Sequence, residues 1–426
     1  MDMVLDKPTV YKFRVGHWLP SDQTVLDNWL HNLIQEVEAQ DENIVPLHPV
    51  IQDFKQFIES SPKAYMWFHQ MFSQVPLRPP YNKNPAGKHQ IRSYHVMLRL
   101  FNAIMTRAPE FNETGLVGFP INAILDWSMG TTSGFAAFLD SDVNLHFKNM
   151  LQEWSKYLSS KDSRYVLNHN PKTGWLGHDA MQAMPNFAQE FQCEPTQPHY
   201  GFTSWDNFFT RQFRAGVRPV ADPDDDNVVV NACESAPYKL AHNVQTQDRF
   251  WIKAQPYSLR HMLADDELVH KFEGGTVYQA FLSALSYHRW HSPVSGTIVK
   301  AYVQDGTYYS EAISEGYDPS GPNESQGYIT EVATRAMIFI QADNPAIGLM
   351  CFMPVGMAEV SSCDITVYEG QHVKKGEQLG MFHFGGSTHC LIFQPSVKLE
   401  FDLHGQTPGL DSSNIPINSM IARVIK

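Results

Sequence analysis

Cysteine is sparse in this chain of 426 residues: Cys193, Cys233, Cys351, Cys363 and Cys390 are odd in number and scattered, with no CxxC pair. That excludes a dense disulfide framework and fits a reducing compartment, with cytoplasmic location the expectation. Positive charge is also short. The 32 Lys and Arg stand against 45 Asp and Glu, a formal charge of −13, and no basic run occurs. A nucleic-acid or anionic-lipid partner, each held by clustered Lys and Arg, is not expected. Long apolar runs are missing too. The most apolar stretch, Ala346 to Val360, contains Pro354 and Gly356; it falls short of the ~20 residues that cross a bilayer and reads as a buried strand. The opening MDMVLDKPTVYKF has neither a signal-peptide h-region nor transit-peptide composition, so export is not expected.

Several motifs are absent as well. GGSTH, residues 385–389, lacks the glycine that a nucleophile elbow needs two places after serine, and no GxxxxGK[ST] or GxGxxG is present. These absences set aside α/β-hydrolase chemistry and phosphate cradling.

What is present is an ordinary globular balance, 43% hydrophobic and 18% charged, in a chain long enough for two domains. Val25, Leu26, Trp29, Leu30, Leu33, Ile34 and Val37 follow helical spacing, as do Val143, Phe147, Met150, Leu151, Trp154 and Leu158. Ile51, Phe54, Phe57 and Ile58 form a third such face, and Ser93–Thr106 reads as a helix between the PPYNKNPAGK loop and Pro109. From about Asp225 the pattern turns to short β-rich runs, VVVNA, GTIVKAYV, AMIFIQA, IGLMCFM and ITVYEG, broken by Gly, Pro, Asn and Asp. Two helices are expected there, SLRHMLADD with Ser258 as N-cap, and Gly275–Ser283. The acidic ADPDDDN at 221–227 reads as a solvated linker. The fold class is therefore α+β, with a helical region over 1–195 and a β-rich domain over 196–426.

Within that domain FHFGGSTHCLIF, residues 382–393, reads as two strand segments meeting at a glycine-rich turn that displays Ser387. The preceding VYEGQHVKKGEQLGMFHF resembles the half of a biotinyl or lipoyl carrier domain that leads to the modified hairpin. No lysine lies between Gly380 and Val397 to carry such a group. A serine after two glycines has another option. Its hydroxyl can attack the Gly386 carbonyl and exchange the peptide for an ester; elimination then breaks the chain and leaves a pyruvoyl group. Glycine at 386 removes a Cβ from the attack path and tolerates unusual dihedrals. The attack needs a base, an orienting acid and oxyanion donors. On its own, GGS is also compatible with a plain turn.

SYHRWHSPVSG, residues 286–296, supplies candidate bases. If extended, it points His288 and His291 to opposite faces; if helical, they share a face and metal ligation becomes an option, though no third ligand stands at a recognisable spacing.

Together YHRWHSPVSG, GMAEV at 356–360, VKKGEQLGMFHFGGST and TSWDNFFTRQFRAGVRPV at 203–220 resemble the phosphatidylserine decarboxylase family, in that family's order and over roughly residues 200–390. The resemblance implies cleavage between Gly386 and Ser387 into a β chain of 1–386 and an α chain of 387–426 that begins with a pyruvoyl group made from Ser387. It makes His291 the base of self-processing and gives His288 the decarboxylation step, with a pKa near working pH. The family's acid stands in an Ala-Asp-Gly motif; the counterpart here is NACES, so Glu234 replaces it. Ser286 likewise stands where the typical member has Asp. No pyridoxal phosphate and no metal are implied, and the substrate's amine would form a Schiff base with the ketone. SSKDSR at 159–164, NACES, YHRWH and MFHFGGS resemble a soluble fungal branch acting on free aromatic amino acids. The expected reaction is L-tryptophan to tryptamine and CO2, on a small-molecule substrate rather than a membrane. Phosphatidylserine as substrate, and an unprocessed, non-enzymatic binding module, are the alternatives.

Overall fold

The computed structural model describes residues 23–40, 45–75, 91, 93–111, 120–248, 257–283, 285–312, 325–359 and 362–425. The N-terminal stretch MDMVLDKPTVYKF and the PPYNKNPAGK loop lie outside them.

The helical periodicity holds. The first helices are α1 (Gln23–Glu38), α2 (Pro49–Ser60), α3 (Pro62–Gln74), α4 (Tyr94–Ile104), α5 (Pro120–Met129), α6 (Thr132–Leu139) and α7 (Ser141–Leu158). Ser61, Ser93, Thr131 and Asp140 accept hydrogen bonds from first-turn N–H groups of α3, α4, α6 and α7, which satisfies donors that a helix start leaves open. The predicted apolar stripes face inward: Ile51, Phe54 and Ile58 of α2 are buried, as are Val143, Phe147, Met150, Leu151, Trp154 and Leu158 of α7.

The second half supplies strands β1 (Val228–Val230), β2 (Ala236–Val244), β3 (Gly275–Leu282), β4 (Arg289–His291), β5 (Gly296–Gln304), β6 (Arg335–Ala342) and β7 (Leu349–Met357). It continues with β8 (Cys363–Ile365), β9 (His372–Val373), β10 (Gln378–Phe382), β11 (Gly386–Phe393), β12 (Leu399–Phe401) and β13 (Met420–Val424). The main sheet has the order β2-β3-β11-β7-β6-β5-β9; two smaller sheets run β4-β10-β8 and β1-β13-β12. The named strand pairs are antiparallel.

All nine residues of β7 are buried, because the sheet is covered on both faces. Met353, Val355 and Met357 of β7, with Cys390 and Ile392 of β11, enter the core that holds α1–α7. Met350, Phe352, Leu391 and Phe393 enter a second core with Trp290 and Ile298. The period of two along each strand sends alternate residues to the two cores, so the helical half and one face of the sheet share a single interior.

Four expectations are corrected. Gly275–Ser283 is not a helix but strand β3, paired with β2 on one side and β11 on the other. Strands buried on both faces lose the polar alternation that separates them from helices. A Cβ at Gly275 would also stand 2.0 Å from the Phe393 carbonyl oxygen, a closeness only glycine permits. The acidic 221–227 segment is fastened rather than merely solvated: Arg423 pairs with Asp222 and Asp225, and the Lys375 ammonium donates to the carbonyls of Asp222 and Asp225. Third, β10 and β11 do not form a hairpin. They belong to different sheets, and FHFGGS is the crossover between them. Of ITVYEG only Ile365 is strand, closing β8.

Candidate active site

Ser387 is the second residue of β11, opposite Gly356 of β7 and Leu282 of β3. It is fully buried, not displayed, and its hydroxyl has no hydrogen-bond partner. Gly385 before it has φ 140°, a backbone setting that L side chains rarely adopt. The site thus holds a buried, uncommitted hydroxyl immediately after a glycine pair, which fits a serine that reacts with its own backbone.

The crossover is tied to the histidine segment at both ends. Leu282 stands opposite Ser387, and the Phe382 N–H donates to the His288 carbonyl at 2.9 Å. Leu282 and His288 therefore lie beside the two ends of the crossover. His288 lies fully buried with its ring stacked on Phe209, centroids 3.9 Å apart, and Phe209 in turn meets Phe384 at 5.5 Å. His383 is held by Asp206 at 2.8 Å and Asp364 at 3.6 Å. Burial lowers its pKa, but the hydrogen bond and these two carboxylates outweigh that and raise it above the ordinary value.

The histidine segment is extended, with β4 beginning at Arg289. His288 is buried and His291 is part-exposed. Among the described residues no group of three or more His, Cys, Asp or Glu side chains could hold a metal ion. Burial, helped by the Arg211 charge, drives the His288 pKa well below its ordinary value, against the backbone of Ser283 and Ser286. The expectation of a pKa near working pH fails in the uncut chain, because a fully buried imidazole loses the hydration its charged form needs. His291 is lowered by burial to about 4. Both rings are neutral at pH 7, the form a base must have.

Glu234 and His291 do not form the expected pair. The Glu234 carboxylate accepts from Arg218 Nη2 at 2.8 Å and from the Ile417 N–H at 2.8 Å. The partner of His291 is the Tyr287 hydroxyl, 3.1 Å from Nε2. Tyr287 lies in the field of Glu234, one of the causes, after burial, that keep its phenol protonated.

Two residues that sequence reasoning did not single out complete the frame. Arg211 is 3% exposed, ringed by Phe187, Phe191 and Phe208, and donates to the carbonyls of Leu285 and Ser286. It fixes the loop that delivers His288. Tyr287 is the other. Both stood inside the quoted motifs, TSWDNFFTRQF and YHRWH, and only their polar atoms amid apolar neighbours could have drawn notice.

Family models described as phosphatidylserine decarboxylase match residues 48–184 and 205–408, so the likeness extends into the helical half. An L-tryptophan decarboxylase of Psilocybe cubensis is 37% identical over 437 residues, covering 97% of this chain and 95% of that protein. Decarboxylase iboD of Amanita muscaria is 40% identical over 327 residues, 72% of this chain and 92% of that protein. Phosphatidylserine decarboxylase proenzyme 3 of Schizosaccharomyces pombe is 30% identical over 206 residues, 48% of this chain and 20% of that protein.

Proposed function

The chain belongs to the phosphatidylserine decarboxylase family and is a decarboxylase; from that premise we propose that it cuts itself between Gly386 and Ser387 and then decarboxylates a free aromatic L-amino acid, L-tryptophan to tryptamine. The observation that carries the reading is the buried Ser387 hydroxyl, without a partner, directly after the Gly385–Gly386 pair.

In self-processing His291 takes the hydroxyl proton, Ser387 Oγ bonds to the Gly386 carbonyl carbon, and the Gly386–Ser387 amide is exchanged for an ester. His291 is suited to this by its neutral ring and by the Tyr287 hydroxyl that fixes Nε2. Loss of the Ser387 α-proton then expels the Gly386 carboxylate, and hydrolysis of the resulting enamine leaves the pyruvoyl end on residues 387–426. The pyruvoyl group supplies a ketone that binds the substrate's amine and an adjacent carbonyl that draws electrons as CO2 leaves.

His288, held by Phe209 and by the loop that Arg211 anchors, is neutral and so first takes a proton from the substrate's ammonium group as the amine bonds to the ketone, then returns that proton to the α-carbon after CO2 leaves. The phenyl ring of Phe209 and the wall of Phe384, Trp154 and Trp205 exclude water around it. Identity of 37% over nearly full length to an L-tryptophan decarboxylase supports the substrate. Among the described residues no helix is long and apolar enough to cross a membrane.

Denaturing mass spectrometry tests the first step, with a fragment of residues 387–426 lacking the serine hydroxyl as the expected product. Incubation with L-tryptophan, L-tyrosine, L-phenylalanine and phosphatidylserine tests the second. Ethanolamine phospholipid without aromatic amine would replace the substrate; an intact, inactive chain would remove the mechanism.

A further inference from the structure

The layer between the main sheet and the helices contains polar side chains that the chemistry above does not use. Gly386 and Met357 are register partners across β11 and β7, and Met357 faces the helical core. Two residues beyond Met357 stands Glu359, 3% exposed. One of its oxygens accepts the N–H groups of Ile121 and Asn122, each at 2.8 Å, at the start of α5. Its other oxygen has no partner. The same is true of both amide atoms of Asn122, which is fully buried, and of the hydroxyl of Tyr309. Native interiors pair nearly all such atoms, so four in one group indicate a site for something polar.

The hydrogen bond from the Asn122 N–H to Glu359 joins two of these residues, and the Tyr309 hydroxyl lies in the field of the Glu359 carboxylate. After burial, the largest cause of the raised Tyr309 pKa is the charge of Glu359. Burial lifts Glu359 itself to about 8, although the two α5 N–H groups oppose it. A carboxyl raised in this way holds its proton more readily near neutral pH and can then donate as well as accept.

Helix α7 gives the scale. Phe147 meets Tyr309 at 4.9 Å, and Trp154 meets Phe384 at 5.3 Å. Seven residues separate these two contacts along one helix face, a span of roughly 10 Å. One helix face thus reaches from Tyr309 to Phe384, two residues before Gly386, on the side of the sheet that Met357 faces.

We propose that Glu359, Asn122 and Tyr309 form the subsite that hydrogen-bonds the polar edge of the substrate's aromatic side chain, the indole N–H for L-tryptophan. The inference rests on the reading of a free aromatic amino acid as substrate. A site built to bond an N–H discriminates strongly against an analogue without it, because its own polar atoms are left unpaired.

The test is calorimetric binding of tryptamine and of its N1-methyl analogue to the processed protein, beside conversion of L-tryptophan by the same samples. Wild type should prefer tryptamine by roughly tenfold or more. Tyr309→Phe, which removes one oxygen, and Glu359→Gln, which keeps an acceptor for the α5 N–H groups and puts a donor in place of the second oxygen, should bring that preference below about threefold. Equal binding of both amines by wild type, or an unchanged preference in both variants, overturns the subsite even where tryptamine is produced. Discrimination with no amine formed from any aromatic acid would instead overturn the proposed reaction and leave the subsite standing.

Discussion

The neighbourhoods of Glu234 and Ser387 treat their polar groups in opposite ways. Around Glu234 the carboxylate has Arg218 and the Ile417 N–H, and Arg218 also reaches Glu190. Around Ser387 neither the serine hydroxyl nor the side-chain nitrogens of His288 and His389 complete a good hydrogen bond. Pairing ties the strand end to the C-terminal segment and to the helical half, so the Glu234 region reads as a clamp. Polar groups left unpaired in a dry interior are costly, and a fold that keeps them has a use for them. On the proposed reading, the reactive group is the one left unpaired, and the full pairing around Glu234 serves stability.

The largest expected effect separates the two regions. Ser387→Ala should abolish both the 387–426 fragment and turnover while leaving Tm within a degree or two of wild type, since it removes only an unpartnered hydroxyl. Glu234→Ala should do the reverse. It leaves Arg218 half-buried without its main partner and should lower stability by about 2 kcal/mol, reduced from a fully buried pair by partial exposure. A variant at Glu234 that blocks cleavage with unchanged Tm would erase the contrast and restore direct acid–base partnership with His291.

Tyr287→Phe comes next. It takes the hydroxyl from His291 Nε2 without disturbing the ring's packing on Phe213, and should slow cleavage by about tenfold, the lower range for a group that orients a base. Time courses of fragment release measure it; an unchanged rate would show that His291 needs no such support.

The pH response sharpens the same point. His291 is depressed from 6.5 to about 4 by burial, so it is neutral throughout pH 6–8 and cleavage should be flat there, declining only towards about pH 4. The linked contribution to stability is present above 6.5 and is lost as pH falls through about 4. A cleavage rate that halves near pH 6.5 would mean a solvated, ordinary imidazole at the base position.

The sequence made the α1 and α7 faces legible because each repeats its apolar residues at helical spacing over three turns or more. It drew attention to Gly386 and Ser387 only through the YHRWH segment and the family resemblance, since GGS alone is also compatible with a plain turn. Strand β3 was hidden, since GTVYQAFL is buried on both faces and shows no polar alternation. The Tyr287–His291 bond was hidden too. Tyr287 and His291 stand four apart, a spacing that puts two residues on one face in a helix and in a strand alike, so it singled out no pairing. The fastening of 221–227 depends on Arg423 and Lys375, some 150 to 200 residues away, and no local pattern carries such pairing.

The smallest expected effect is also the closest test of the contrast. His389 lies two residues beyond Ser387 on the same strand face, fully buried between Tyr278 and Phe352. Neither ring nitrogen has a partner, and burial lowers its pKa to about 3. By the rule that unpaired groups near Ser387 serve the chemistry, it should matter; by its aromatic contacts, it is packing. Its opposite residues, Pro354 and Ala280, offer it no side-chain hydrogen bond. We expect His389→Leu to leave cleavage and turnover unchanged and to raise stability by about 1 kcal/mol, because an unsatisfied polar ring gives way to an apolar side chain. Loss of cleavage in that variant, with Tm maintained, would move the base from His291 to His389 and place the whole proton transfer on β11.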